Sequence, residues 1–291
     1  AIGAVAPEAS AIRTGFMDLD TILGGLKRSD LIIVAARPSL GKTSLVLNFA
    51  RNSAIGQKAT VAVFSIEMAA EQLVQRLIAM ESGVDSTRLR LGTHADREEA
   101  RIMRALGVLA DTNIYVDDSA LVTMAEMRAK ARRLQMEHGL DLVIVDFLQL
   151  MHGGIRAENR VQEISHISRS LKEMARDLGV PVVAVSQLSR APEMRATHIP
   201  QLSDLRESGS IEQDADVVLF IYREGAYIRR EEWERQNPTK PADAYPAGLA
   251  QIIIAKHRNG PTGVIHLRFR EKTARFEDLL VREAEELREE P

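Results

Sequence analysis

The feature that most limits how this chain can fold is the run Leu31-Ile-Ile-Val-Ala-Ala-Arg-Pro-Ser-Leu-Gly-Lys-Thr43. It opens as an uninterrupted apolar stretch, breaks at Arg-Pro-Ser-Leu-Gly, and resumes as a helix-forming run from Lys42. The order is that of a strand, a phosphate-cradling loop and a helix. In such a loop, backbone N–H groups and the helix N-terminus receive phosphate oxygens, the lysine ammonium reaches the terminal phosphates and the threonine hydroxyl holds Mg2+. Arg37, Pro38, Ser39, Leu40, Gly41, Lys42, Thr43 and Ser44 are therefore the candidate nucleotide contacts. The match to G-x-x-x-x-G-K-[ST] has one departure, Ala36 at the first glycine. That residue implies a first turn without positive φ. The bland alternative is a chance Gly-Lys-Thr at an ordinary strand-to-helix turn.

Other apolar runs follow the same rule. Thr60–Ile66, Leu140–Asp146, Pro181–Gln187 and Asp216–Tyr222 are nearly all apolar, as parallel strands covered on both faces must be. Helical patterns separate them: about Lys42–Ser53, Ala70–Glu81, Arg97–Leu109, Thr123–His138 with Gly139 as its stop, and Val161–Leu178 with Gly179 as its stop. Ile114–Asp117 reads as a further short strand. Gln251–Lys256 and Val264–Phe269 bracket Asn259-Gly260-Pro261-Thr262-Gly263 and predict an antiparallel hairpin at the sheet edge. This alternation predicts a single α/β domain.

Composition narrows the chemistry. The chain of 291 residues has no cysteine, which removes disulfides, thiolate metal ligands and cysteine nucleophiles; its seven histidines contain no H-x-x-x-H pair. Any metal is expected to arrive with the nucleotide. A net charge of −3 leaves nucleic-acid contact to local clusters of arginine and lysine. The absence of a basic-then-apolar leader and of a long apolar run predicts a cytoplasmic protein with no membrane partner. The chain begins at Ala1 on a Pro-containing segment that reads as a linker or arm over residues 1–13, and a longer parent protein is the expectation. Residues 281–291 read as a charged tail.

Ligands of open α/β sheets sit beyond the carboxyl ends of the strands, so the strand-end residues matter most. Asp146 ends one strand, where a P-loop enzyme needs its second Mg2+ anchor, although an aspartate opening a turn is common. Glu67 follows another strand and could orient the attacking water, or merely favour the dipole of the next helix. Gln187 ends a third and could sense a terminal phosphate, or merely cap backbone groups. The segment from Ser189 to Asp216 is long, polar and arginine-bearing. Around Arg206-Glu-Ser-Gly-Ser210 its backbone could approach a polyanion, and the loop from His152 to Arg160 has the same character. Neither loop interleaves aromatic residues, so backbone contacts are expected rather than base stacking. Lys256 and Arg258 either guard a sheet edge or deliver charge to a neighbour's phosphates.

Taken together, these motifs resemble the C-terminal, RecA-like motor domain of the bacterial replicative DNA helicases, the DnaB family. They occur in family order: Thr14-Gly-Phe through Gly24-Gly-Leu26, Ala36 to Thr43, Phe64-Ser-Ile-Glu-Met68, Val143 to Leu150, Ser186-Gln-Leu-Ser-Arg190, Ser203 to Asp216, and Lys256-His-Arg-Asn-Gly-Pro-Thr-Gly263. Ala36 belongs to that family's own P-loop. The resemblance implies a RecA-like P-loop core over residues 14–280, with a mostly parallel twisted sheet flanked by helices and a C-terminal edge hairpin. It implies ATP and Mg2+ as cofactors, Lys42 and Thr43 at the phosphates and metal, Glu67 as the catalytic glutamate, Asp146 supporting the metal and Gln187 sensing the γ-phosphate. Arg258 would be an arginine finger given in trans, with Lys256 beside it, and Arg206, Glu207 and Gly209 would lie at a DNA-contacting loop. The family forms homo-hexameric rings around single-stranded DNA that move 5' to 3' in the bacterial replisome, and its full-length members meet primase and a helicase loader. Its helical N-terminal domain has no counterpart in this sequence, which implies a fragment with reduced unwinding. A recombinase-type or circadian-clock-type RecA-like ATPase is the alternative.

Overall fold

The computed structural model describes residues 11–119, 122–146, 148, 160–205, 209–239, 241 and 244–279. After helix α1 (Met17–Leu23), strand β1 (Leu31–Ala36) leads into α2 (Lys42–Gln57), then β2 (Val61–Ser65). Three helices follow, α3 (Ala70–Ser82), α4 (Ser86–Leu91) and α5 (Asp96–Ala110), before β3 (Ile114–Asp117), α6 (Met124–His138) and β4 (Leu142–Asp146). Next come α7 (Arg160–Leu178), β5 (Val182–Gln187), the short helices α8 (Ala191–Met194) and α9 (Gly209–Asp214), and β6 (Val217–Tyr222). The chain continues with α10 (Arg230–Gln236), β7 (Leu249–His257), β8 (Gly263–Arg270) and β9 (Arg275–Asp278).

These nine strands form one sheet in the order β3-β2-β4-β5-β1-β6-β7-β8-β9. The strands from β3 to β6 are parallel, and β7, β8 and β9 add on antiparallel. Strand β1 is wholly buried because both its faces are covered. Ile32, Val34 and Ala36 point into a layer shared with α1, α2 and α3, while Leu31, Ile33 and Ala35 point into a second layer against α6 and α7. The continuous apolar run is thus a requirement of a strand with a core on each side.

The hairpin forms where the sequence predicts it, but it is not the sheet edge. Strand β9 pairs with β8 and covers it. The described part of residues 189–216 is likewise not structureless: it holds α8, a 3-10 turn at Leu202–Asp204 and α9. The stretch after Ser82 also contains a helix, α4, capped by the Asp85 carboxylate, which accepts from the N–H groups of Thr87 and Arg88. No helix among the described residues is long and apolar enough to cross a membrane. The segments 1–10 and 280–291 and the loop 152–159 lie outside the described residues.

Candidate nucleotide site and its opposite edge

Register brings the strand ends together. Ala36 lies beside Gln187, and Ser65 beside Asp146, so β2, β4, β5 and β1 present their carboxyl ends in a row. Glu67 follows two residues after Ser65. A cavity of about 640 Å³ opens over this row, lined by the P-loop residues Ser39 and Gly41 to Ser44, by Glu67 and by Gln187. The sequence-predicted phosphate, water and sensor positions therefore converge.

The loop turns through left-handed backbone at Ser39 (φ 66°) and Gly41 (φ 103°). A Cβ on Gly41 would lie 3.0 Å from the Phe276 ring and 3.4 Å from Phe269. Strands β8 and β9, far from the P-loop in sequence, thus form its back wall. Gly41→Ala is expected to cost about 1–3 kcal/mol from the positive φ, with ring displacement added, and thermal denaturation with and without nucleotide measures it.

Lys42 curls back over the cradle, its ammonium 3.3 Å from the Ala36 carbonyl and 3.4 Å from that of Arg37. Burial pushes its pKa down, while Asp146 and Glu67 pull it back up. The Thr43 hydroxyl donates to Asp146 Oδ2 at 2.6 Å. Burial raises the Asp146 carboxyl; the Thr43 hydrogen bond opposes this, Glu67 adds to it, and Lys42 and Arg76 oppose it. Asp146 Oδ1 is buried and has no donor. An unsatisfied buried acceptor costs about 1–3 kcal/mol, and beside the Thr43 hydroxyl it fits the hydrated cation of a bound nucleotide. Among the described residues no cluster of three or more His, Asp or Glu could hold a metal by itself.

Two candidate contacts turn elsewhere. The Arg37 guanidinium bonds the Leu188 carbonyl at 2.9 Å and Glu193 at 2.8 Å, tying the P-loop to the chain beyond Gln187. Leu40 is buried in the core. One side chain is spent on an ion pair and the other on packing, which leaves the main-chain groups of both for phosphate, as a loop of backbone N–H donors requires. Conversely, Arg76 is absent from the sequence-predicted set. It lies on α3 with Gln72 and Gln75, and all three line the cavity. Burial lowers its pKa, offset by the charges of Asp146 and Glu67; it remains a cation. The i, i+3, i+4 spacing of Gln72, Gln75 and Arg76, opposite buried Leu73 and Leu77, is the signal that could have found it.

Arg258 and Lys256 stand at the other end of the sheet. The Arg258 N–H donates to the Asp216 carbonyl, and the Asp216 N–H to the Leu31 carbonyl, so Arg258 aligns with the start of β1. Its own P-loop begins after the six residues of that strand, about 20 Å away. No arginine side chain spans that distance, so Arg258 cannot serve the nucleotide of its own chain. Lys256 donates to the Glu212 carbonyl and Arg258 to the Gln213 carbonyl, 3.0 Å, both in α9. Arg206 and Glu207 lie outside the described residues, and Gly209 opens α9. The flanks of that gap are anchored. Asp204 is buried and paired with Arg195, its carbonyl accepts from Ser189 N–H, and Ser210 bonds Ser165 on α7 at 2.8 Å.

A strand, a left-handed phosphate loop and a helix at the centre of a mostly parallel sheet, with acids and an amide on the adjoining strand ends, define a RecA-like P-loop nucleoside triphosphatase fold. A family model for the DnaB-like helicase C terminal domain matches residues 11–278, and the chain belongs to that family. The replicative DNA helicase DnaB of Geobacillus stearothermophilus is 46% identical over 273 residues, covering 94% of this chain and 57% of the relative. The replicative DNA helicase DnaC of Bacillus subtilis (strain 168) is 46% identical over 271 residues, covering 93% and 57%. The chain thus spans a little over half the length of these relatives. Among solved structures, a DnaB-like replicative helicase, described with its interactions with primase, superposes with a TM-score of 0.84 at 33% identity, over 94% of this chain and 63% of that one. A separately solved ATPase domain superposes with a TM-score of 0.84 at 34% identity, over 93% and 92%. The RadB recombinase, at 20% identity and a TM-score of 0.53, shares the fold alone.

Proposed function

We propose that this chain is the ATP-hydrolysing motor of a replicative DNA helicase, coupling hydrolysis to 5'-3' translocation on single-stranded DNA within a homo-hexameric ring. The observation that carries the reading is the division of one catalytic set between the two ends of the strands. Lys42, Thr43, Glu67, Asp146 and Gln187 gather at one end, and Lys256 and Arg258 stand at the other, a strand's length away. In a ring, the finger end of one copy meets the cradle end of the next. The relatives named replicative DNA helicases support the substrate. The similar helicase described with primase supports primase as a partner of the full-length protein, and a helicase loader belongs to the same proposal, as does a cytoplasmic replisome.

In this reading the P-loop amides and Lys42 bind the phosphates of ATP, and Gln187 contacts the terminal one. Thr43 and Asp146 would hold Mg2+, which when bound neutralises charge on the phosphate oxygens. Glu67 orients and deprotonates the attacking water. Arg76 offsets the repulsion between Glu67 and Asp146 and adds positive charge to the pocket. Gln187 continues through Leu188 and Ser189 to Asp204, whose ion pair with Arg195 anchors the segment leading to Arg206. This gives a mechanical path from the phosphates to the DNA-binding positions Arg206, Glu207 and Gly209.

Single-stranded DNA binding tests the substrate. Arg206→Ala is expected to weaken binding about equally for all sequences and to lower the salt slope by about one per site, as loss of a phosphate contact does. Titrations of fluorescent oligonucleotides across a salt series measure it. Sequence-selective weakening or an unchanged slope would assign Arg206 to holding its own loop.

A further inference from the structure

Asp216 is one of the buried acids that the P-loop chemistry leaves unused. Asp216, 4% exposed at its side chain, sits where β6 begins, at the end of the sheet away from the P-loop. Three donors from three parts of the fold converge on it. Oδ2 accepts from the Leu31 N–H at 2.8 Å and from the Lys172 ammonium on α7; Oδ1 accepts from Arg258 Nη1 at 3.1 Å. Lys172 is itself fixed by the Ser29 carbonyl at 2.7 Å. The carboxylate is therefore held from behind by a buried cation and a main-chain amide.

The two oxygens do different work. Leu31 and Lys172 are enough to lock β6 against β1 and α7, and both use Oδ2. Oδ1 is given to an arginine whose side chain is 45% exposed. Leu31 and Lys172 already hold the buried carboxylate through Oδ2, so the bond from the half-exposed Arg258 adds less to the core than those two do. Arg258 gains a great deal in definition. A guanidinium carries five N–H donors in a rigid fork. Asp216 takes one at Nη1 and the Gln213 carbonyl takes one at Nη2, and the side chain is 45% exposed. A long side chain on a hairpin turn would otherwise sample many rotamers, and charge stabilisation of a transition state depends on donors already in place.

We propose that Asp216 is the positioning residue of Arg258, fixing the guanidinium so that its remaining N–H groups meet the phosphates bound by the adjacent subunit. The assignment rests on the trans reading of Arg258 given above. Lys172 secures the carboxylate, and α9 shares the load through Gln213.

Complementation between subunits tests it. Asp216→Asn is expected to lower kcat for ATP hydrolysis on the order of 10^2-fold, the cost of a misplaced catalytic group, with nucleotide affinity unchanged. Mixed with Lys42→Ala subunits, which keep an intact Arg258, it should regain activity at the junctions where its own pocket meets a sound finger. Mixed with Arg258→Ala subunits it should stay inactive, because every junction then lacks a placed finger. Since Asp216→Asn also strands the Lys172 charge, the double variant Asp216→Asn/Lys172→Met repeats the test without a buried unpaired cation. Wild-type kcat in Asp216→Asn, with Arg258→Ala inactive, would overturn the positioning role alone; wild-type kcat in Arg258→Ala would overturn the trans reading beneath it. Recovery with Arg258→Ala subunits, or failure of both Asp216 variants to fold, would make Asp216 a structural residue and overturn the proposal.

Discussion

Arg258→Ala is expected to lower ATP turnover by about 10^3- to 10^5-fold, the range for an arginine that stabilises transferring phosphoryl charge, while leaving nucleotide binding intact. Binding should survive because the groups proposed to cradle phosphate, Lys42 and the P-loop amides, belong to the other end of the sheet. The substitution removes no apolar core side chain. Arg258 is half-exposed, and Asp216 keeps Lys172 and the Leu31 N–H. Stopped turnover with normal nucleotide affinity and normal thermal stability is the expected combination. Mixing Arg258→Ala with Lys42→Ala subunits, each inactive alone, should restore part of the ATPase activity at junctions of one order. A persistently inactive mixture, after subunit exchange has been verified, would remove Arg258 from the neighbouring site.

Glu67→Gln should behave differently. Removal of a general base costs typically 10^2- to 10^4-fold, and the defect lies in the variant's own pocket, so Glu67→Gln should be rescued by subunits with an intact pocket only at their own sites. Nucleotide affinity is expected to hold or rise slightly, because losing the Glu67 charge removes a repulsion on the phosphates. Pre-steady-state hydrolysis with labelled ATP separates the chemical step from product release. Turnover within a few fold of the unsubstituted protein would exclude Glu67 as the base and turn attention to the other groups facing the cavity.

The central strands were legible in the sequence because β1, β2, β4, β5 and β6 are covered on both faces and must be continuously apolar. Their strand-end residues followed, since the parallel register alone places Gln187 beside Ala36 and Asp146 beside Ser65. Strand β9 was not legible. Its four residues, Arg-Phe-Glu-Asp, carry a single buried apolar side chain, Phe276, and look like a charged turn. Helices α4, α8 and α9 escaped for a related reason, being too short to show a period. Arg37 matched a motif whose backbone serves phosphate, and nothing local revealed that its side chain would reach Glu193, beyond the end of the neighbouring strand β5. Asp216 was the hardest to see, because its partners Leu31, Lys172 and Arg258 come from three distant stretches that only the β1–β6–β7 register and the packing of α7 bring together.

The claim on which the account depends is that one chain does not contain a complete catalytic site. The most direct measurement is ATPase activity per subunit across a dilution series, with the assembly state followed by sedimentation under the same nucleotide and salt. Turnover per subunit should fall with the fraction of assembled protein and approach the level of Arg258→Ala once monomers dominate. Monomers that hydrolyse ATP at the full per-subunit rate of the assembly would contradict it.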